Sequence, residues 1–178
     1  FAVDVAKQQD ILTPELKEPG DQLVRFSIET DEYDLPVYQR VKMLYDIIHA
    51  LIRRRSIVAA YALDGKGIAA AISKMAFGNK FGITLEPSAV TPQELFAPAF
   101  GSFVAEVPAD QTEQIRTALQ EAGLDRAFAV IGEVCSDHIF RYGDTTITME
   151  EALNAWTGTL EKVFPTIASD EKEEVHTN

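Results

Sequence analysis

Four consecutive residues, Asp64-Gly65-Lys66-Gly67, carry the clearest chemical signal in the chain. They close an apolar strand pattern at 57–63 and open an alanine-rich helix pattern at 67–77. A glycine turn at such a junction bares backbone N–H groups at a helix N-terminus, where the macrodipole favours an anion such as a phosphate. Lys66 adds a mobile positive charge at the same place. Three readings stay open. Gly65-Lys66-Gly67-Ile68-Ala69-Ala70 fits G-x-G-x-x-A, and Glu86 lies about twenty residues on, the outline of a dinucleotide fingerprint. A phosphate cradle of another kind is the second reading. A turn made only by sterics is the third.

No other group of residues makes a complete site. His49 sits beside Ile48 on a helical apolar stripe, as a packed or partly exposed histidine does. Cys135 and His138 form Cys-x-x-His without the further ligands that zinc requires. Ser73, Ser102 and Ser136 have no evident base partner for nucleophilic catalysis. Arg53-Arg54-Arg55 could grip a phosphate, but they also complement the negative end of a helix. The residues therefore point to a domain that binds or scaffolds while another part does the chemistry.

The elements around the turn can be read from periodicity. Val24, Phe26 and Ile28 alternate in a half-buried strand at 23–28. Asp34-Leu35-Pro36 predicts the start of a helix whose buried stripe is Val37, Val41, Leu44, Ile48, Leu51 and Ile52. Strands are expected at 57–63, 81–85, 102–107 and 127–134, and a hairpin about Tyr142-Gly143-Asp144. In the helix at 67–77, Ile68, Ile72 and Met75 point inward. Thr91 with Glu94 caps one brief helical turn, and Asp110 with Glu113 resembles a capping box for a helix ending at Gly123. Thr148 with Glu151 caps a last helix expected to bury Leu153, Trp156, Leu160 and Val163. Helices alternating with strands imply a layered α/β arrangement.

Composition narrows the partners. A chain of 178 residues with 46% hydrophobic content can bury one core. A net charge of −12 disfavours nucleic acid or an anionic membrane surface, yet leaves room for a small anion at a helix end. The single cysteine excludes an internal disulfide and suits a reducing, cytoplasmic setting. No apolar run has the length of a membrane span or a signal peptide. The chain opens at Phe1, as expected of a piece of something larger.

Several ordered segments together resemble a known family. TPELKEPGDQLV resembles its entry strand, LPVYQRVKMLYDIIHALI its first long helix, and VAAYALDGKGIAAAISKMAFGNKFGI its glycine-turn segment. LFAPAFGSFVAEV, VIGEV and AWTGTLEKVFPT follow in the family's order. The chain is thus similar to the C-terminal-type domain of the AIR synthase-related superfamily, in the later copy found in the large single-chain phosphoribosylformylglycinamidine synthase family. The resemblance runs over 14–166, after an irregular segment at 1–13 and before a polar tail or linker at 167–178.

The resemblance implies an α+β fold, a layered α/β/α domain with a mixed sheet. It also implies an ATP- and glutamine-dependent ligase of de novo purine synthesis. There ATP activates an amide oxygen as an iminophosphate, and ammonia from a glutaminase domain displaces the phosphate. In that family ATP and Mg2+ are held mainly by N-terminal-type domains, so this fragment is expected to bind neither tightly and to be inactive alone. Cys135 matches no glutaminase nucleophile. Implied partners are the enzyme's other domains, the glutaminase domain among them, with a small phosphate ligand at Asp64, Gly65, Lys66 and Gly67. A homo-oligomer of the excised fragment is also allowed. Laid on the family's Tyr-Asp-x-Ser-Asp-Gly-Gly-Leu run, Ala62 stands at the first Asp, Asp64 at the Ser, Gly65 at the second Asp and Lys66 at the first Gly. The alternative is therefore a degenerate structural module that scaffolds the catalytic half. A Rossmann-like dinucleotide binder is the third possibility.

Overall fold

The computed structural model describes residues 3, 5–161 and 163–164. In chain order its main elements are β1 (Gln22–Phe26), α1 (Tyr38–Arg53), β2 (Ala59–Ala62), α2 (Gly67–Asn79), β3 (Gly82–Leu85) and α3 (Pro92–Phe96). There follow β4 (Phe103–Val107), α4 (Thr112–Glu121), β5 (Phe128–Cys135), β6 (Ile139–Tyr142), β7 (Thr145–Thr148) and α5 (Met149–Glu161).

The seven strands form one sheet in the order β2-β4-β1-β5-β3-β6-β7. All neighbours are antiparallel except β3 and β6, so the sheet is mixed. Strand alternation gives it two apolar faces. On one, Leu23, Ala59, Val104 and Ile131 pack with Ile68, Ile72 and Met75 of α2, Leu95 of α3 and Met149 of α5. On the other, Val24, Phe26, Ala105 and Phe128 pack with Leu44, Ile48 and Leu51 of α1 and Ile115 and Leu119 of α4. Each of the buried leucine, isoleucine, valine, phenylalanine and methionine side chains contributes about 1.5–3 kcal/mol relative to exposure. Phe26 adds a stacked contact with Phe103 at 5.0 Å and an edge contact with Phe128 at 5.5 Å. The result is the expected α/β/α layering.

Connectivity explains the order. β1-α1-β2 and β4-α4-β5 are two split βαβ units whose strands interleave, with α1 and α4 on the same face. The segment α2-β3-α3 is inserted between them, and β3 then adds to the outer edge of β5. The β6–β7 hairpin, turning at Gly143-Asp144 with Gly143 at φ 55°, extends that edge.

Local chemistry sets several boundaries as expected. Thr91 and Glu94 form a reciprocal capping box on α3. Thr148 Oγ1 accepts from the Glu151 amide at 3.2 Å, and the Glu151 carboxylate accepts from the Thr148 amide at 2.9 Å. Gly123 follows α4 at φ 68°.

Three expectations are corrected. α1 starts at Tyr38, not at Pro36, because Asp31 Oδ1 captures the Tyr33 and Leu35 amides and Pro36 bridges back to Thr30. Asp110 caps nothing; a 3-10 turn, Ala109–Gln111, leads into α4 instead. The stripe on α5 is buried only at its start: Met149 is 4% exposed, whereas Trp156, Leu160 and Val163 are 52%, 60% and 67% exposed. The helix meets α2 through Phe77, 6.2 Å from the Trp156 ring, and then extends beyond it. The tail at 167–178 lies outside the described residues.

Candidate functional site

β1, β2, β3 and β6 run in one direction, so their carboxyl ends share one rim of the sheet. The 64–67 turn follows β2 on that rim, beside the C-terminal end of α3 and the loop entering β4. Ser102 Oγ accepts from the Ile28 amide at 3.1 Å, and Tyr45 donates to the Gly101 carbonyl at 2.6 Å, which ties the loops together. Ser102 is thus a structural hydroxyl.

The turn itself is closed by its own first residue. Asp64 Oδ1 accepts from the Lys66 amide at 2.7 Å, and the Asp64 carbonyl accepts from the Gly67 and Ala99 amides, each at 3.3 Å. Two of the N–H groups that would meet a phosphate are therefore engaged by a residue of the chain. Gly67 has φ 71°, and a Cβ there would stand 2.7 Å from the Leu95 carbonyl and 2.8 Å from that of Ala97. Only glycine satisfies both the backbone and this approach. Gly65 and Lys66 are exposed, and Phe100 lies alongside Gly65. Among the described residues no carboxylate forms an ion pair with the Lys66 ammonium. The rim thus offers one mobile cation and one open glycine, next to the exposed rings of Phe96 and Phe100.

A second polar group on the α2 side joins Arg25 of β1 to Glu94 of α3, N to O 2.9 Å. The Thr91 amide and the Arg25 guanidinium hold the Glu94 carboxyl down at about 2. Beside it an apolar cleft of about 310 Å³ opens between α2, α3 and the β6–β7 hairpin, lined by Ile72, Leu85, Leu95, Phe96, Phe140 and Tyr142.

The other sequence candidates are scattered. Arg53 pairs with Asp10 at 3.5 Å, while Arg54 and Arg55 are exposed at the end of α1, which leads into the start of β2 at the opposite end of the sheet from the rim. His49 is exposed, and His138 Nδ1 lies 2.5 Å from the Lys80 carbonyl. Cys135 Sγ is 3.3 Å from Thr84 Oγ1. Among the described residues no three His, Cys, Asp or Glu side chains gather as a metal site. The dinucleotide reading is corrected by topology. Its acid should end the strand next to β2, but β4, β1 and β5 separate β2 from β3. Glu86 is therefore about 19 Å away across the sheet, four strand spacings.

One buried acid escaped the sequence reading. Glu106 of β4 is 0% exposed, and burial pushes its carboxyl up to about 7 against the hydrogen bonds of the Lys17 and Glu18 amides. The signal was a lone charge in the apolar run Phe103-Val104-Ala105-Glu106-Val107.

No family model matches the chain. Solved structures do. PurLQS from Thermotoga maritima superposes with TM-score 0.68 at 14% identity, covering 83% of this chain and 28% of that one. T. maritima PurL complexed with ATP gives 0.67 at 13%, with the same shares of 83% and 28%. E. coli HypE, a hydrogenase maturation protein, gives 0.57 at 20%, covering 78% of this chain and 51% of that one. These likenesses establish an AIR synthase-related fold. The chain spans less than a third of the PurL chains it matches. Among the described residues no helix is long and apolar enough to cross a membrane.

Proposed function

We propose that this chain is one domain of an ATP- and glutamine-dependent carbon–nitrogen ligase, of the kind that forms formylglycinamidine ribonucleotide in purine synthesis. In this role it is a wall of the ligand cleft and a scaffold for the catalytic half, and it has no turnover alone. The supporting observation is the self-closed turn. Asp64 takes up the Lys66 and Gly67 amides, and Leu95 and Ala97 close over Gly67, so the corner that an anion would occupy is used to fix α2 on α3. T. maritima PurL has been solved with ATP, which fits nucleotide being held by the synthase as a whole. ATP and Mg2+ are proposed to be held by other domains of the enzyme. Those domains, including a glutaminase unit, are its proposed partners, in the cytoplasm.

A second reading keeps a phosphate at Asp64, Gly65, Lys66 and Gly67. It is favoured by the exposure of Gly65 and Lys66 at the N-terminus of a 13-residue helix. Calorimetric titration with formylglycinamide ribonucleotide, ADP and NAD separates the two. The wall role expects no saturable binding by the isolated chain and tight association with the rest of the synthase. Saturable binding of a phosphate ligand, weakened by Lys66→Glu, would favour the second reading, and an amidine-forming rate from this chain alone would overturn both.

A further inference from the structure

β2 closes one end of the sheet, so its outer side meets no strand among the described residues. The Leu63 amide donates to the Ser102 carbonyl at 2.9 Å and continues the β2–β4 register, so the alternate residues Ala60 and Ala62 turn their amides and carbonyls outward. Free edges are commonly guarded by lysine, proline or an inward charge, and Ala59-Ala60-Tyr61-Ala62 carries none of these. The small side chains of Ala60 and Ala62 leave an open trough of about 380 Å³ against α1, lined also by Tyr45, Ile48, Ile52 and Phe103. An extended segment with an aliphatic side chain fits both the trough and the outward backbone groups.

At the start of β2 the local charge is opposite to that of the whole chain. Arg53, Arg54 and Arg55 line a cleft of about 490 Å³ together with Ala50 and Asp10. Asp10 engages Arg53, and among the described residues no carboxylate pairs with Arg54 or Arg55. Guanidinium groups so placed on a chain of net charge −12 select a partner that carries carboxylates.

One segment of this chain has both properties. Beyond Phe164, outside the described residues, the sequence runs Pro165-Thr166-Ile167-Ala168-Ser169 and then Asp170-Glu171-Lys172-Glu173-Glu174. It starts near the edge. Lys74 Nζ lies 5.3 Å from the Trp156 ring of α5 and 2.9 Å from the Tyr61 hydroxyl of β2, so α5 passes beside the edge strand. Phe164 is eight residues further on, about 12 Å at helical rise. The ten residues at 165–174 then reach about 33–36 Å when extended, against the four residues of β2.

We propose that the segment at 166–174 folds back along β2 as a strap. Ile167 and Ser169 pair antiparallel with Ala62 and Ala60, Ile167 enters the trough, and the acids that follow reach Arg54 and Arg55. The charges set the antiparallel direction, because the arginines stand where β2 begins. Pro165 precedes the first pairing residue, so its missing amide costs no hydrogen bond. The strap closes the edge against foreign strands and fixes where the polypeptide leaves this domain.

Amide hydrogen exchange of the whole polypeptide that carries this chain, read by mass spectrometry on peptides covering 57–63 and 166–174, tests this. Both peptides should be protected in the native protein. Arg54→Glu combined with Arg55→Glu should speed exchange in both by about 2- to 30-fold, the range of two exposed ion pairs, while a β5 peptide stays level. Adding Glu171→Arg and Glu173→Arg to that variant should restore protection. Ile167→Asp, on a segment outside the packed core, should also speed exchange at 57–63. If 166–174 exchanges like an unstructured peptide in the native protein, or if its protection survives the arginine reversal, the proposal is overturned. Protection at 57–63 that Ile167→Asp leaves unchanged means that something else covers the edge, such as a second copy, and overturns it equally.

Discussion

Replacing Gly67 by alanine tests whether the 64–67 turn is a packing joint. Alanine at φ 71° costs about 1–2 kcal/mol, because Cβ crowds the following carbonyl in the left-handed region. The new Cβ would also stand 2.7 and 2.8 Å from the Leu95 and Ala97 carbonyl oxygens, both rigid backbone. Opening those gaps means shifting α3 against α2, an overpacking cost of about 1–3 kcal/mol. The sum is about 2–5 kcal/mol. Gly65 supplies the control two residues away. Its Cβ would meet only Phe100 Cζ at 3.6 Å, an ordinary contact, so Gly65→Ala should stay within about 0.5 kcal/mol. Urea unfolding at fixed pH reads both. With a slope of about 2 kcal/mol/M, Gly67→Ala should lower the midpoint by about 1–2.5 M at unchanged slope. If the two alanines cost the same, Leu95 and Ala97 do not constrain the turn and the packing argument is wrong.

Two further outcomes follow from the same structure. Glu94, held at about 2, contributes stability that is present above the ordinary 4.5 and is lost as pH falls through 2; its side chain is 41% exposed, so solvent screening limits the effect to about 1 kcal/mol. Arg25→Met should remove part of that acid-side loss, and a native-like stability profile between pH 5 and pH 2 in this variant would refute the assignment. On α5, Met149→Ala should cost about 2–5 kcal/mol, whereas Leu160→Ser should change the chain's own stability by less than about 0.5 kcal/mol. Equal thermal destabilisation by both would mean that the helix is packed along its whole length.

Much of the fold was legible because period and caps agree locally. The α2 pattern places Ile68, Ile72 and Met75 inward, and Thr91-Pro92-Gln93-Glu94 and Thr148 with Glu151 mark their helices by side-chain chemistry alone. The misses have a common cause. Periodicity reports which face of a helix is apolar, not how far a partner extends to cover it, so Trp156 and Leu160 read like Leu153. A proline can open a helix, but here Asp31 holds the Tyr33 and Leu35 amides and Pro36 bridges to Thr30, so the helix begins only at Tyr38. The interleaving of β2, β4, β1 and β5 joins residues far apart in sequence, and no local pattern encodes it.

That interleaving also decides what the glycine turn means. A G-x-G-x-x-A string describes one strand, one turn and one helix, and β2, the 64–67 turn and α2 satisfy it. Dinucleotide binding needs a second strand beside the first, so that an acid at its end reaches the ribose. Here the strand after α2 adds to the far side of β5, so that β4, β1 and β5 stand between it and β2. The charge at the turn points the same way. The helix end carries roughly half a positive charge, and the Asp64 carboxylate, bonded to the Lys66 amide at 2.7 Å, already offsets it. A further anion would meet a neutralised dipole on a chain of net charge −12, with Lys66 as its one mobile counter-charge. On the proposed reading, any ligand grip at this corner comes from Lys66 together with a surface brought by another domain. The neutralised helix end is the ground for proposing a wall role over an autonomous site.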